Sequence, residues 1–218
     1  GTTVIMIVDE RLVTYINSLD TGNTEILDQI EKEAIAAYVP IIRKEMQSFL
    51  KLLLAMQKPM RILEVGTAVG FSAILMAQYA PADCEIVTIE NYEKRIPVAK
   101  ENFKRAGKDE QITLLEGDAM QILPTLSGEF DMIFMDAAKG QYINFMPDIL
   151  RLLKSGGVLV SDNVLQDGDI IESHYVVERR NRTIYQRMRE YMYELTHNEG
   201  LVTAVLPVGD GITVSAKK

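Results

Sequence analysis

RILEVGTAVGFS, residues 61–72, combines a short strand-like apolar run, a glycine-containing loop and the start of a helix. From Arg61 onwards, short apolar runs alternate with amphipathic segments, in the order EIVTIE, RIPVAKENFKRAG, QITLLEG, FDMIFMD, INFMPDILRLLK and GGVLVSD. Strands that alternate with helices are typical of a parallel sheet covered by helices. The pattern predicts an α/β, Rossmann-like doubly wound core over residues 58–218.

The segment before this core reads as helical. Apolar residues recur at spacings of three and four over residues 11–19, 25–38 and 43–56, which predicts three helices. We therefore expect residues 9–57 to form a helical cover. Residues 1–8 are interpreted as an extension, in which Met6 is a candidate natural start.

The end of the chain predicts one more helix and a hairpin. The helix is expected from about His174 to His197, with an apolar stripe along one side. LVTAVLPVGDGITVSAK then reads as two strands joined by a glycine-containing turn, a closing antiparallel hairpin. Because no linker or internal repeat interrupts the sequence, we expect residues 1–218 to form a single domain.

Composition restricts the class of protein. The 218 residues are 47% hydrophobic and 25% charged, enough to bury the core of one ordinary domain. The net charge of -8 means that any nucleic-acid contact would need a local basic patch. Cys84 is the only cysteine, which excludes an intramolecular disulfide and a multi-cysteine zinc site and is typical of a reducing compartment. We expect a cytoplasmic protein, since no stretch resembles a signal peptide or the roughly 20 apolar residues of a membrane span.

The glycine loop EVGTAVGFS occupies the position at which open α/β sheets bind nucleotide-like ligands. A dinucleotide fingerprint would have glycine where Ala68 and Phe71 stand, so a pyrophosphate site is disfavoured. Glu64, Gly66 and Gly70 instead suit a ligand with an amino-acid tail, because glycines permit close backbone approach and an acid attracts an ammonium group. S-adenosylmethionine is such a ligand.

Acidic residues also follow the next two strands. Glu90 ends the second strand, where a carboxylate can accept hydrogen bonds from both ribose hydroxyls. Asp118, with Ala119 beside it, is predicted to face the adenine. Ser72 is a further candidate, although a serine near a helix start is often only a cap. The alternative for each acid is likewise an exposed helix cap. The presence of an acid at the end of each of three successive strands, at Glu64, Glu90 and Asp118, argues against that alternative.

Oxygen donors end two later strands. Asp136 lies in MDAAKGQY, residues 135–142, and Asp162 and Asn163 lie in GGVLVSDNVL. Oxygen-only donors favour a hard cation, which we expect to be Mg²⁺, with Mn²⁺ and Ca²⁺ as alternatives. A cation beside a methyl donor could lower the pKa of a substrate hydroxyl and hold its oxygen in line with the methyl group.

Lys139 follows Asp136 closely and is the predicted catalytic partner of that acid. It could accept the proton of the substrate hydroxyl or, if it stays charged, stabilise the developing oxyanion. Both roles stay open, as does the alternative of a solvated lysine at a helix start. His174 and His197 are interpreted as structural or surface residues.

Several segments resemble motifs of the metal-dependent class I O-methyltransferases of the catechol and caffeoyl-CoA type. They are the glycine loop, DAAKGQY, SDNVL, ERRNR and PVGDG. The resemblance runs from about Asp9 to the end of the chain and is strongest to the bacterial tRNA 5-hydroxyuridine methyltransferases. It implies a seven-stranded sheet whose last strand is antiparallel, a homodimer, and a metal bound by Asp136, Asp162 and Asn163. It also implies cofactor contacts at Val39, Glu64, Ser72, Glu90, Asp118, Ala119 and Asp136.

Three hypotheses about function remain. The leading one is Mg²⁺-dependent methylation of the 5-hydroxyl of wobble 5-hydroxyuridine in the tRNA anticodon loop, with phosphates bound by Arg179, Arg180 and Arg182. Those arginines could equally belong to a solvated face balanced by nearby glutamates. The second hypothesis is a small-molecule O-methyltransferase acting on catechol-like or caffeoyl-CoA-like vicinal diols. The third is a non-catalytic cofactor-binding or RNA-binding protein on the same fold.

Overall fold

The structure, a computed structural model, describes residues 8–137, 139–165 and 182–218, and only the backbone of Lys139. The predicted beginning of the long helix at His174 lies outside these ranges. So do two of the predicted RNA-contacting residues, Arg179 and Arg180. No helix within the described ranges is long and apolar enough to cross a membrane.

Seven strands of the described chain form a single sheet. They are β1 (Arg61–Val65), β2 (Glu85–Glu90), β3 (Ile112–Glu116), β4 (Phe130–Met135), β5 (Leu153–Ser161), β6 (Leu201–Leu206) and β7 (Ile212–Lys217). Their order is β3-β2-β1-β4-β5-β7-β6. The first five strands pair in parallel, whereas β7 pairs antiparallel with both β5 and β6. The predicted doubly wound, mostly parallel sheet with an antiparallel last strand is confirmed.

The helices cover both faces of this sheet. They are α1 (Glu10–Ser18), α2 (Glu25–Ala36), α3 (Lys44–Gln57), α4 (Phe71–Tyr79), α5 (Ile96–Arg105), α6 (Ala119–Ile122), α7 (Tyr142–Leu152) and α8 (Arg182–His197). Two hydrophobic clusters result. Residues of α2, α3, α4 and α5 contribute to the cluster on one face, and residues of α7 and α8 contribute to the other.

Burial of both sheet faces explains why the central strands read as continuous apolar runs. In β4, Met132 and Phe134 join one hydrophobic cluster, and Ile133 and Met135 join the other. Successive side chains of a strand point to opposite faces, so a sheet covered on both sides needs apolar residues at every position. In β4 the residue that directly follows this apolar run, Asp136, lies at the carboxyl end of the strand.

The prediction that the second helix reaches Tyr38 is wrong by two residues. The helix α2 ends at Ala36, and Tyr38 has a left-handed backbone with φ of 55°. The backbone N–H of Tyr38 donates to Ile35 O, and that of Val39 donates to Ala34 O at 2.8 Å. This is the hydrogen-bond pattern of a Schellman motif, here with tyrosine in the place usually taken by glycine. The motif turns the chain so that Pro40 reaches the carboxyl edge of the sheet.

Candidate functional site

The polar residues that end β4 and β5 meet at the carboxyl edge of the sheet. Backbone hydrogen bonds align the strand ends: Asp136 N donates to Val65 O at 3.0 Å, and Asp162 N donates to Met135 O at 2.9 Å. The side-chain amide of Asn163 donates to Asp136 Oδ1 at 2.8 Å. The structure therefore brings together the three residues that the sequence predicts as metal ligands.

Two adjoining cavities open at this edge. The larger, of about 540 Å³, is lined by several of the predicted cofactor-binding residues: Gly66, Glu90, Asp118, Ala119 and Asp136. The smaller, of about 90 Å³, is lined by Asp136, Asp162 and Asn163 together with Arg43 and Asp210. Asp136 lines both cavities, so this residue stands between the predicted cofactor site and the predicted metal site.

Glu90 is held in the larger cavity by backbone donors. Its Oε1 accepts from Ala68 N at 2.7 Å, and its Oε2 accepts from Asn91 N and Tyr92 N at 3.0 Å each. The left-handed backbone of Ala68, with φ of 49°, belongs to the loop that supplies the first of these donors. These bonds fix the direction of the carboxylate at the end of β2.

Glu64 lies beneath the glycine loop and is completely buried. Its carboxyl group accepts hydrogen bonds from the hydroxyl of Ser72 and, at 2.6 Å, from that of Thr88. Burial raises the pKa of Glu64 to about 8, although both hydrogen bonds favour the charged form. Glu64 and Ser72 thus form a buried polar pair under the loop and are absent from the lining of the larger cavity.

The loop glycines are required by contacts within the protein. Gly66 has φ of 104°, and a Cβ atom at this position would overlap the carbonyl oxygen of Asp136. Gly70 has φ of 89°, and its Cβ would lie 2.6 Å from the ring of Phe103. The absence of a Cβ at Gly66 therefore lets the end of β4 approach closely and helps to place Asp136. Gly66 also lines the larger cavity, where the sequence predicts a ligand.

The remaining predicted cofactor residues differ in their surroundings. Asp118 Oδ1 accepts from Met120 N at 2.9 Å and caps α6, so the helix-cap alternative also describes this residue. Asp118 and Ala119 nevertheless line the larger cavity. Val39 instead lines a separate apolar groove between α2 and α5, and its neighbour Pro40 lines both the larger and the smaller cavity.

The donor set fits a hard cation. Asp136 and Asp162 supply carboxylates, and a half-turn of the Asn163 amide would place its oxygen where its nitrogen now faces Asp136 Oδ1 at 2.8 Å. Adjacent ligands of an octahedral cation with bonds of about 2.1 Å lie about 3.0 Å apart, close to that separation. Within the described residues, no group of three or more Asp, Glu, His or Cys side chains could hold a metal. The side-chain amide of Asn163, which lines the same cavity as the two carboxylates, is a candidate third ligand.

Three residues near the site were given no role by the sequence. Tyr142 is fully buried, and its hydroxyl lies against backbone atoms at the ends of β4 and β5. Arg43 and Asp210 form an ion pair of 2.8 Å at the smaller cavity. DAAKGQY and PVGDG contain Tyr142 and Asp210, but a motif does not reveal which distant residue a side chain contacts. Arg43 lies in none of the motifs, so nothing in the sequence indicated that it would lie near the site.

Two further predicted groups are only partly described. Lys139 begins a short 3₁₀ helix, Lys139–Gln141, and its side chain lies outside the described part of the structure. Arg182 is the first residue of α8 and is partly exposed. The predicted roles of Lys139 and of Arg179, Arg180 and Arg182 stay predictions. His197 is exposed, as expected of a surface residue.

Comparison with known proteins identifies the class that this fold and site represent. A family model described as O-methyltransferase matches residues 17–218. The chain therefore belongs to the O-methyltransferase family. The matched region extends from the end of the helix α1 to the last residue, and so includes the whole sheet and both cavities.

Individual relatives agree with this assignment. The chain is 39% identical to a catechol O-methyltransferase of Niastella koreensis over 130 residues, which span 58% of this chain and 59% of that protein. It is 33% identical to a caffeoyl-CoA O-methyltransferase of Medicago sativa over 182 residues, 76% of this chain and 70% of that protein.

A solved structure of a similar protein contains S-adenosylmethionine. The O-methyltransferase TomG from Streptomyces achromogenes, involved in tomaymycin synthesis, was crystallised in complex with S-adenosylmethionine. It is 26% identical, has a TM-score of 0.83, and the alignment covers 95% of this chain and 96% of that chain. The present protein is an S-adenosylmethionine-dependent O-methyltransferase.

Proposed function

We propose that this enzyme methylates one hydroxyl of a small vicinal diol, catechol-like or caffeoyl-CoA-like, with a divalent cation held by Asp136, Asp162 and Asn163. The observation that carries this proposal is the position of Asp136, which lines both the larger cavity and the smaller one. A methyl donor in the larger cavity would adjoin a hydroxyl in the smaller. The names of the catechol and caffeoyl-CoA relatives support a diol over tRNA.

The larger cavity is proposed to hold S-adenosylmethionine. Glu90, oriented by three backbone N–H groups, would accept hydrogen bonds from the ribose hydroxyls. Asp118 and Ala119 would border the adenine at the other end of the same lining. Gly66 and Asp136 would border the methionine portion. Glu64 and Ser72 would support the glycine loop from beneath. Val39 would contribute to cofactor binding indirectly, through the adjoining Pro40.

The smaller cavity is proposed to hold the acceptor oxygens. Bound Mg²⁺, or Mn²⁺ or Ca²⁺ in its place, would supply positive charge that lowers the pKa of an acceptor hydroxyl. In the transfer, the acceptor oxygen forms a bond to the methyl carbon, the carbon–sulfur bond breaks, and the hydroxyl proton is lost. Asp136 would orient the acceptor next to the donor methyl group, which is the alignment that in-line displacement requires.

Lys139 is proposed to assist the loss of that proton, either as the base or as a positive charge beside the developing oxyanion. We expect Lys139→Ala to lower kcat by at least about 100-fold while the KM for the diol changes little. Steady-state kinetics from pH 6 to pH 10 would measure this effect. A variant whose kcat equals that of the unaltered enzyme at every pH would exclude the role.

Methyl transfer from labelled S-adenosylmethionine tests the substrate class. Parallel reactions would contain a catechol, the corresponding monophenol, or tRNA bearing 5-hydroxyuridine, each with EDTA and with EDTA followed by excess Mg²⁺. We expect label in the catechol alone, its loss with EDTA, and its return with Mg²⁺. The monophenol controls for the need for two adjacent hydroxyls.

The other outcomes identify the other hypotheses. Metal-dependent label in tRNA alone would overturn the diol proposal and return a role to Arg179, Arg180 and Arg182. Catechol labelling that survives EDTA would remove the metal from the proposal. If no acceptor is labelled although calorimetry shows S-adenosylmethionine binding, the diol and tRNA proposals would both be overturned.

A further inference from the structure

Tyr142 is the first residue of α7 and has no solvent exposure. Its hydroxyl oxygen lies 3.0 Å from Asp162 O, 3.2 Å from Met135 O and 3.3 Å from Ala137 N. Two of these backbone atoms belong to the residues on either side of Asp136, and the third belongs to Asp162 itself. One phenol group therefore contacts the backbone around two of the proposed metal ligands.

The hydrogen-bonding capacity of a phenol defines how Tyr142 connects the two strands. Its oxygen can accept the N–H of Ala137, while its single proton is donated to Asp162 O or Met135 O. The direct bond from Asp162 N to Met135 O, at 2.9 Å, joins the same two strand ends. Tyr142 thus adds a side-chain connection to the pairing of β4 and β5, and this connection does not involve the carboxylates of Asp136 and Asp162.

We propose that Tyr142 is a positioning residue that sets the spacing of Asp136 and Asp162 and thereby the affinity of the site for a divalent cation. The inference rests on the metal site of the proposed function. The removal of a group that hydrogen-bonds to metal ligands and orients them commonly changes metal affinity by about 10- to 100-fold. Tyr142 acts through the backbone, so its hydroxyl does not need to touch the cation, the cofactor or the acceptor.

Tyr191 provides a matched control within the same core. It is 1% exposed, and its ring packs edge-on against that of Tyr142 with centroids 5.5 Å apart. Its hydroxyl hydrogen-bonds the side chain of Ser161 at 2.5 Å and not the backbone of a proposed ligand. Tyr142→Phe and Tyr191→Phe each remove one buried hydroxyl from neighbouring rings and keep the aromatic packing. Only the first removes hydrogen bonds to the backbone beside Asp136 and at Asp162.

The test is Mn²⁺ binding to the full-length protein, measured by titration calorimetry, with S-adenosylmethionine binding and thermal unfolding measured alongside. We expect Tyr142→Phe to raise the Kd for Mn²⁺ by about 10- to 100-fold. The Kd for S-adenosylmethionine should change much less, and Tyr191→Phe should bind Mn²⁺ within about 2-fold of the unaltered protein. Saturating S-adenosylhomocysteine would keep a destabilised variant folded during the titration, because a bound ligand stabilises the native state.

Each contrary result has a distinct meaning. Unaltered Mn²⁺ affinity in Tyr142→Phe would overturn this inference and leave the proposed function standing. An equal loss in both variants would also overturn it, since the cause would then be the removal of any buried hydroxyl. If the unaltered protein bound no Mn²⁺, the metal part of the proposed function would fail together with this inference.

Discussion

Glu64 shows how the environment of a single residue makes stability depend on pH. Its carboxyl group is fully buried, and desolvation raises its pKa from 4.5 to about 8. Between those pH values the folded protein holds a proton that the unfolded chain releases. The unfolded state then binds fewer protons than the native state, so the contribution of Glu64 to stability falls as pH rises.

We expect the Tm of the ligand-free protein to decrease between pH 5 and pH 8, and Glu64→Gln to flatten that decrease, because glutamine cannot titrate. Scanning calorimetry at intervals of half a pH unit would measure both profiles. Glu110→Gln, at an exposed position, is the matched control and should leave the slope unchanged. Parallel pH profiles for the unaltered protein and Glu64→Gln would contradict the expectation.

At the scale of elements, the loop between β1 and α4 is shaped by its contact with the end of β4. Gly66 adopts a positive φ and faces the carbonyl oxygen of Asp136, a backbone atom that cannot move aside as a flexible side chain would. The contact therefore links the glycine loop of the proposed cofactor site to the acid of the proposed metal site.

Gly66→Ala is expected to be costly for this reason. Gly156 has a φ of 84° and no atom within 4 Å of an added Cβ, so Gly156→Ala introduces the backbone strain alone, about 1–2 kcal/mol. Gly66→Ala adds a steric overlap to similar strain, and we expect a loss at least about 2 kcal/mol larger. Urea unfolding would measure both, and equal losses would show that the contact with Asp136 is unimportant.

A second contact between elements joins the start of α3 to the turn between β6 and β7. Arg43 Nη2 lies 2.8 Å from Asp210 Oδ1, and both residues line the smaller cavity. The backbone of Leu165 donates to Asp210 O, which ties this turn to the segment that follows Asn163. The ion pair thus borders the proposed acceptor site.

We expect Arg43→Gln to alter acceptor binding more than stability. The arginine side chain is 55% exposed, and such pairs contribute at most about 1 kcal/mol. The KM for the diol should change several-fold, whereas the KM for S-adenosylmethionine should hardly change. Lys154→Gln, in the exposed pair with Asp131, is the control. If both variants have the diol KM of the unaltered enzyme, Arg43 has no part in acceptor binding.

At the scale of the whole molecule, the helix α1 presents an apolar surface that the described part of the chain does not bury. None of its residues is buried, and Leu12, Tyr15 and Leu19 at its end are each more than half exposed. The resemblance to metal-dependent O-methyltransferases implies a homodimer. We expect light scattering to give twice the chain mass of 24.5 kDa at micromolar concentration. A mass of one chain at that concentration would exclude the dimer.

Much of the fold could be predicted because its signals are local. Apolar runs such as that of β4 identify strands buried on both faces, and three- and four-residue spacings identify α2 and α3. The end of α2 was missed because the Schellman motif at Tyr38 uses a tyrosine, so the usual glycine signal is absent.

The proximity of Asp136, Asp162 and Asn163 could also be predicted, because the carboxyl ends of parallel strands share one edge of the sheet. The partners of these residues could not. Three contacts join residues that are far apart in the chain. They are the close approach of Gly66 to Asp136, the contact of the Tyr142 hydroxyl with Asp162, and the Arg43–Asp210 ion pair. The spacing of apolar and polar residues along the sequence carries no information about such contacts.

The sequence by itself determined the order of strands and helices, the mostly parallel sheet, and which polar residues end its strands. Side-chain period and strand direction are properties of short segments, and they suffice for these conclusions. Only the tertiary structure decided that Glu64 is buried beneath its loop and that Asp136 lies between two cavities. Burial and shape depend on how distant segments pack, and the raised pKa of Glu64 and the two cavities arise only from that packing.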